Sequence, residues 1–567
     1  MAEVKKPILL DDSFNTESAK HLELKNALLK QTTIIAESQA SISKLLEQKD
    51  SIKRPQYENG VFTNSSIQSW LFSNNDGKLY GVDQTLDAVQ TCTKVLANAG
   101  IANPVPSTLA QVGSDPYYGI GPFRYERVNA VANDDGTYSI TGMESFGHFT
   151  TDKDVFILTP IRYVSHGMTS DGKYRIVVSD EPNVGLHPEP RAYKQDGDLQ
   201  PFMLRAAYAA ALVDDAPVSR PGLAPWTRSC SWNTMKSKAQ ARGKMYSALT
   251  AADLDYIYDM FLLKYANKSS QTVFAGCTSY NYSYKPKYNS VLSEDGTYVS
   301  ISDDAGNTWK NEKNIMIALT STQAANLIVG SYVSLGSVYG TDRATATTYD
   351  ICSMVKILNI DTTSATNLDT VLVTLDIGFT GFTAGANIIT TDGGVITEPW
   401  HTGACDGIIF DGSPTNPLSG KEPFVFQGIE LGLGFYEWVG DLIEKADGST
   451  VKLHLYEDVA GTAEPKAIYE YPASTEGWRY PFAMTKKSDI YTPQKFGAST
   501  TTGVGDGTYM QPKAGTHGFR AFGNLGVGAS AGLRCANLYD GLGWTWWYNG
   551  SRVSVNGRNE VSLETIE

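Results

Sequence analysis

Five Asp-Gly pairs punctuate this sequence: Asp76-Gly77, Asp135-Gly136, Asp171-Gly172, Asp295-Gly296 and Asp447-Gly448. Strand-like runs such as "TYSITGM" and "KYRIVVS" flank them. Glycine reaches positive φ without a steric penalty, and aspartate hydrogen-bonds to its own backbone. Asp-Gly between such runs therefore predicts the tight turn of a β-hairpin. The chain is expected to be β-rich, and its 52 Gly, 31 Tyr and 10 Trp residues agree with turns, strands and aromatic surfaces.

At 567 residues the chain is too long for one core, and ordinary domain sizes imply roughly three or four folding units. The formal charge of −14 repels phosphate backbones, and no Lys/Arg cluster offsets it, so nucleic acid is excluded as a partner. In "MAEVKKPILLDDSF" the apolar run is only Ile8, Leu9 and Leu10, too short for a signal-peptide core. No stretch approaches the ~18 apolar residues of a membrane span, so no membrane insertion is expected. Cys92, Cys230, Cys277, Cys352, Cys405 and Cys535 stand singly, without zinc or redox spacing, which predicts free thiols.

Residues 18–53 carry apolar side chains at a heptad rhythm: Leu24, Leu28, Ile35, Ile42, Leu45 and Ile52. Gln31, Ser38 and Lys49 interrupt the same seam. The pattern predicts a polar-interrupted coiled coil that needs partner chains, three in the preferred reading and two in the alternative. An amphipathic helix folded against its own chain is the other option. Pro55 ends the segment.

"LTAADLDYIYDMFLLKYA" (249–266) predicts a helix capped by Thr250, with Asp253 at capping-box spacing and Leu254, Ile257, Phe261 and Tyr265 on one apolar face. From 325 to 395, "LIVGSYVSLG", "CSMVKILNID" and "DTVLVTLDIGFTGF" read as short strands of a small inserted β-barrel or sandwich. No fixed-period repeat is present.

Catalytic signatures are absent. "GNLGVGASAG" (523–532) lacks the surrounding βαβ unit of a dinucleotide loop. The seven histidines lie far apart, and none joins a nucleophile motif. "NDDG" (133–136) and "SDDAGN" (302–307) do not continue to the distant Glu of an EF-hand. No cofactor is expected, with a calcium ion left open.

"FQGIELGLGFYEWVGDLIEK" (426–445) resembles the Gly-x-x-Gly-Asn-Val-Trp-Glu-Trp-Val-x-Asp signature of the C-type lectin-like fold, in its formylglycine-generating-enzyme branch. That branch includes phage tail proteins and the variable proteins of diversity-generating retroelements. The resemblance implies scaffold roles for Glu437 and Trp438. Gly434-Phe435 replaces the usual Gly-Asn. Collinear similarities follow the same order. "DVFILTPIRYVSHG", "YRIVVSDEPNVGLHPEP" and "FMLRAAYAA" (154–210) resemble the opening strands of tail-fibre lectin-like domains, with His187-Pro188 before a strand and turn. The helix at 250 with "YANKSSQTVFAGC" resembles the helix-then-loop segment, and "HGFRAFGNLGVGASAGLRCANLYDGLGWTWWYNGSRVSVNG" (517–557) resembles the closing strands and binding face. The likeness spans about 120–290 and 405–557. The oxidase of that branch uses two cysteines five residues apart; here Cys535 has Ser530 at the partner place, so the soft copper-ligand set is incomplete.

Asn537, Tyr539, Asp540, Trp544, Trp546, Trp547, Tyr548, Asn549 and Arg552 mix rigid aromatics with short polar groups, a composition suited to binding. Alternation cannot bury every member of "WTWWYNG". Either several face a ligand, or Trp544 and Trp546 are core and only the polar residues show.

The expected fold is therefore α+β and β-rich: an N-terminal coiled-coil stem followed by a C-type lectin-like head with an inserted small β-domain. The expected segments are an attachment segment (1–17), the stem (18–54), a connecting domain (55–120), the first part of the head (121–290), the insert (291–404) and the second part with the binding face (405–567). The expected function is that of a phage tail receptor-binding protein, a homotrimer attached to other virion proteins through its N-terminus and binding a host surface glycan or protein. A capsid head fibre or decoration protein of the same architecture is the alternative, and a surface-polysaccharide depolymerase is the enzymatic one.

Overall fold

Three of the five Asp-Gly pairs close hairpins in the computed structural model of the protein. It describes residues 54–555 apart from 195–196, 287–290, 293–297, 300–313, 341–344, 364–369, 378–392, 459–463, 472–474 and 488–489, together with Leu24, Lys25, Leu28, Gln31 and Thr32. Asp135-Gly136 joins Glu126–Ala132 to Tyr138–Met143, with Ala132 opposite Tyr138. Asp171-Gly172 joins Tyr163–Met168 to Tyr174–Ser179, and Asp447-Gly448 joins Tyr436–Ala446 to Val451–Leu455. The glycines have φ of 83°, 79° and 98°, where a Cβ is disfavoured. The Asp447 carboxylate accepts the amides of Ser449 and Thr450 at 2.8 and 2.7 Å, which fixes the turn.

Asp76-Gly77 differs. It lies between the helix Asn64–Ser73 and the strand Tyr80–Gln84, and its two amides donate to Asp180 at 3.2 and 3.1 Å. The same dipeptide thus makes a helix-to-strand turn, because a buried carboxylate from a distant segment replaces the ladder partner. Asp295-Gly296 lies outside the described residues.

One eight-stranded sheet runs in the order Tyr57–Glu58, Val61–Phe62, Tyr138–Met143, Glu126–Ala132, Val155–Thr159, Met203–Ala206, Val553–Ser554, Ser247–Ala248. The last described strand of the chain therefore sits between two strands of its first half. A second sheet runs Lys466–Tyr471, Val451–Leu455, Tyr436–Ala446, Gly515–Phe522, Gly532–Asn537, Thr508–Met510, Gly477–Arg479; Asn549–Gly550 pairs in parallel with Tyr436–Ala446. A third takes all its strands from the stretch between Ser283–Tyr284 and Gly394–Glu398 and packs Ile317, Leu335, Ile357 and Val373 in its own cluster. Its described strands form an open order with Ser283–Tyr284 at one end and Tyr298–Val299 at the other, rather than a closed barrel.

The helix Ala251–Tyr265 begins where its capping box places it. Thr250 Oγ1 accepts the Asp253 amide at 3.3 Å, and the Asp253 carboxylate accepts the Thr250 amide at 3.2 Å. Ala266 ends it in the left-handed region, at φ 48°. Leu254, Ile257 and Phe261 pack in the main core as the periodicity predicts, but the remaining residues of the helix are buried too. Its charged side chains survive burial because each is paired. Asp255 meets Arg534 at 2.9 Å, Asp259 meets Lys486 at 2.8 Å and Arg162 at 3.3 Å, and Lys264 meets Asp115 and Asp411 at 2.7 Å each.

The stem-and-head fold class is corrected. The protein is β-rich with many antiparallel pairings, and of the α-helices whose bounds lie within the described residues the longest is Ala251–Tyr265, with 15 residues. The described fold contains no long coiled-coil stem. Of the heptad positions, Leu24 and Leu28 are helical and 70% and 65% exposed, while Ile35, Ile42, Leu45 and Ile52 lie outside the described residues. A heptad rhythm broken at Gln31, Ser38 and Lys49 has too little continuous apolar seam to specify a stem. No described helix is long and apolar enough to cross a membrane.

Candidate functional site

The strand Tyr436–Ala446 is the frame on which the closing segment is built. Glu437 and Trp438 pair with Ala521 and Arg520 of the neighbouring strand, and the register shifts before Ile443 meets Gly518. The shift lets Gly440 approach the Ser247–Ala248 strand: its amide donates to the Leu249 carbonyl at 2.7 Å, and a Cβ there would stand 2.8 Å from that of Ala248. Trp438 is fully buried, and its indole donates to the Cys230 carbonyl at 3.0 Å.

The closing segment, expected to be a binding face, divides into buried and exposed halves. The Arg520 guanidinium is buried and donates to Asp540, Asn537 and the Asn549 side-chain oxygen Oδ1, the last at 2.8 Å. Arg552 is equally enclosed by Glu437. Asn537, Asp540, Asn549 and Arg552 are therefore buried and hydrogen-bonded within the fold. Trp547 is buried against the third sheet's cluster with Phe435 and Leu525.

Tyr539 and Trp544 are 45% and 52% exposed, and Trp546 and Tyr548 are half-buried. Trp544 stacks on Trp546 with ring centres 6.0 Å apart, and Trp546 stacks on Tyr548 at 5.9 Å with planes only 8° from parallel. Alternate residues thus form an aromatic ladder while Trp547 turns inward. A cleft of about 260 Å³ lies at its start, lined by Gln511, Lys513, His517, Tyr539, Asp540 and Trp544. Behind it His517 Nδ1 lies 3.5 Å from the buried Glu444, whose carboxyl burial pushes up to about 7, partly offset by His517.

A larger cavity of about 440 Å³ lies where chain segments far apart in sequence meet. Tyr118, Tyr125 and Arg127 come from the approach to and start of Glu126–Ala132, Tyr208 from just after Met203–Ala206, Cys405 to Phe410 from a loop, and Glu430 from the hairpin Phe424–Phe426/Ile429–Leu431. The turn of that hairpin, Gln427-Gly428, has φ of 51° and 74°, the double left-handed geometry of a tight hairpin. A Cβ on Gly428 would press within 2.9 Å of the Tyr125 ring. Arg127 reaches Glu144 at 3.2 Å and Asp406 at 3.3 Å and donates to Tyr208, whose hydroxyl in turn donates to Asp406. Glu430 accepts the amides of Gly403 and Cys405 at 2.9 Å each; burial nevertheless pushes its carboxyl up to about 7.

Sequence reasoning missed this cavity. The available signal was local: in "FVFQGIEL" an acid alternates with apolar strand residues just after a tight turn.

All six cysteines are free and buried. The Cys535 thiol is pushed well up by burial and by Asp506, and Ser530 shares a hydrogen bond with Tyr480 at 2.7 Å. Among the described residues no group of three or more His, Cys, Asp or Glu side chains converges to hold a metal ion. Neither a scan against descriptions of known protein families nor a search of curated protein sequences returns a match.

Proposed function

We propose that the chain is a virion adhesion protein, a phage tail receptor-binding protein whose aromatic ladder contacts a glycan or protein on the host surface. The observation that carries the reading is the ladder itself. Trp544, Trp546 and Tyr548 offer stacked, partly exposed rings beside Tyr539, on a backbone held by the buried Arg520 network. Rigid aromatics give large contact area at low entropic cost, and ring faces stack on the apolar faces of sugars. The resemblance of residues 426–445 and 517–557 to lectin-like tail proteins supports the same reading. Attachment to the particle through the N-terminal residues, in three copies, would multiply weak contacts into avidity. A head-fibre position changes only the location on the virion.

Adsorption of the purified full-length chain to host cells tests the proposal. Trp544→Ala and Tyr539→Ala should each reduce adsorption about tenfold or more, the weight of an interface aromatic, at unchanged thermal stability. Undiminished adsorption in both variants would remove the ladder from the contact.

A further inference from the structure

We propose that the cavity between Tyr118, Tyr125, Arg127, Tyr208, Asp406 and Glu430 is a second binding site, specific for neutral or amino-substituted sugars and separate from the aromatic ladder. Its size fits a small ligand, since a volume of about 440 Å³ lies within the range of small-molecule sites. Its walls are aromatic and set at steep angles. Tyr118 meets Tyr125 at 82° and Phe410 at 67°, with ring centres 6.1 and 5.3 Å apart, so different faces of a ligand ring find an apolar surface. Tyr118 lines the cavity and is 59% exposed, so its ring is open to a ligand as well as packed against Tyr125 and Phe410.

The polar lining selects the ligand class. Glu144, Asp406 and Glu430 supply carboxyl groups against a single guanidinium, and Arg127 already serves Glu144, Asp406 and the Tyr208 hydroxyl. An anionic ligand would meet three carboxyl groups against one guanidinium already engaged by two of them, which disfavours acidic sugars, phosphates and sulfates. A purely apolar ligand would strand the polar groups. A sugar satisfies both demands, with hydroxyl or amino donors for the carboxyl oxygens and C–H faces for the rings. A quaternary ammonium also suits aromatic rings, but it fills only part of the space and offers no donors to three carboxyl groups. Phe410 adds an independent mark: it holds φ at 66°, the left-handed region that a bulky aromatic rarely adopts, and strain of this kind concentrates at ligand sites.

Titration of the full-length protein, followed by saturation-transfer NMR and calorimetry, tests the proposal. The probes are N,N′-diacetylchitobiose, cellobiose, lactose, maltose and glucosamine, with glucuronic acid and choline as contrasts. At least one neutral or amino sugar should bind in the millimolar range or tighter, and more tightly than glucuronic acid or choline. Tyr118→Ala should weaken that sugar about tenfold, and Trp544→Ala should leave it unchanged. Because Tyr118 is exposed, its removal leaves the fold intact, which calorimetric unfolding verifies; Asp406→Asn serves as the second variant and should also weaken the sugar. Absence of binding by all five sugars at about ten millimolar, preference for glucuronic acid or choline, or binding lost in Trp544→Ala but kept in Tyr118→Ala and Asp406→Asn would each overturn the assignment.

Discussion

Glu437 and Arg552, 115 positions apart in the chain, form a bidentate buried ion pair, Oε1 to Nη2 at 2.6 Å and Oε2 to Nε at 2.7 Å. Arg552 also donates to the backbone carbonyls of Glu430 at 2.9 Å and Ala206 at 3.3 Å. One guanidinium thereby joins the frame strand, the cavity hairpin and the first sheet. The acid of "YEW" is a scaffold group, and its partner is a residue whose position in the sequence suggested a surface role.

Removing either partner leaves the other charged and buried. Glu437→Ala and Arg552→Ala should each destabilise the fold by about 3–5 kcal/mol, the usual cost of breaking a buried pair from one side. Chemical denaturation of the two single variants and the double variant measures it, and the double variant should lose less than the sum of the singles. Additive losses would show that the two side chains act independently.

The tryptophans separate into two classes. Trp438→Ala and Trp547→Ala remove buried rings and should each cost about 3–5 kcal/mol, whereas Trp544→Ala, at an exposed ring, should change stability by less than about 1 kcal/mol. Thermal unfolding of the three variants distinguishes them. A large loss for Trp544→Ala would mean that the ladder is structural.

These contrasts mark what the sequence makes legible. Asp135-Gly136, Asp171-Gly172 and Asp447-Gly448 act through neighbours a few residues away, as does the Thr250–Asp253 capping box, so local pattern suffices for them. Burial of polar groups is decided at long range. Asn537, Asp540 and Asn549 read as surface residues because nothing near them announces that Arg520 will draw them inward. The charged residues of Ala251–Tyr265 suggest a solvent face for the same reason, yet Asp255 meets Arg534, 279 positions away. The cavity needs five separate segments to exist at all. The heptad rhythm of 18–53 shows the opposite error, in which a local pattern is strong enough to suggest an element that the described fold lacks.

Stability should fall as pH rises from about 5 to 8. Burial pushes the carboxyls of Glu430, Glu444 and Asp506 up to about 7, far above their unfolded values near 4. Between those values the folded protein holds protons that the unfolded chain releases. Each group's contribution is therefore fully present below about pH 4 and lost as pH rises through about 7. Other carboxyls act oppositely: burial opposes ionisation of Asp259 and Glu189, but Lys486 and Arg162 around the first and Arg162 and Arg205 around the second outweigh it and hold both low. Their contribution is present above about pH 4 and is lost as pH falls through their lowered values. The two sets together place maximum stability at about pH 4. Scanning calorimetry at about pH 3, 4, 5, 6, 7 and 8 should show the melting temperature highest at about 4 and declining on both sides. Glu444→Gln, which removes one titrating group next to His517, should flatten part of the decline between 5 and 8. A melting temperature that stays level or rises from 5 to 8 would show that these buried carboxyls ionise in the fold at ordinary values.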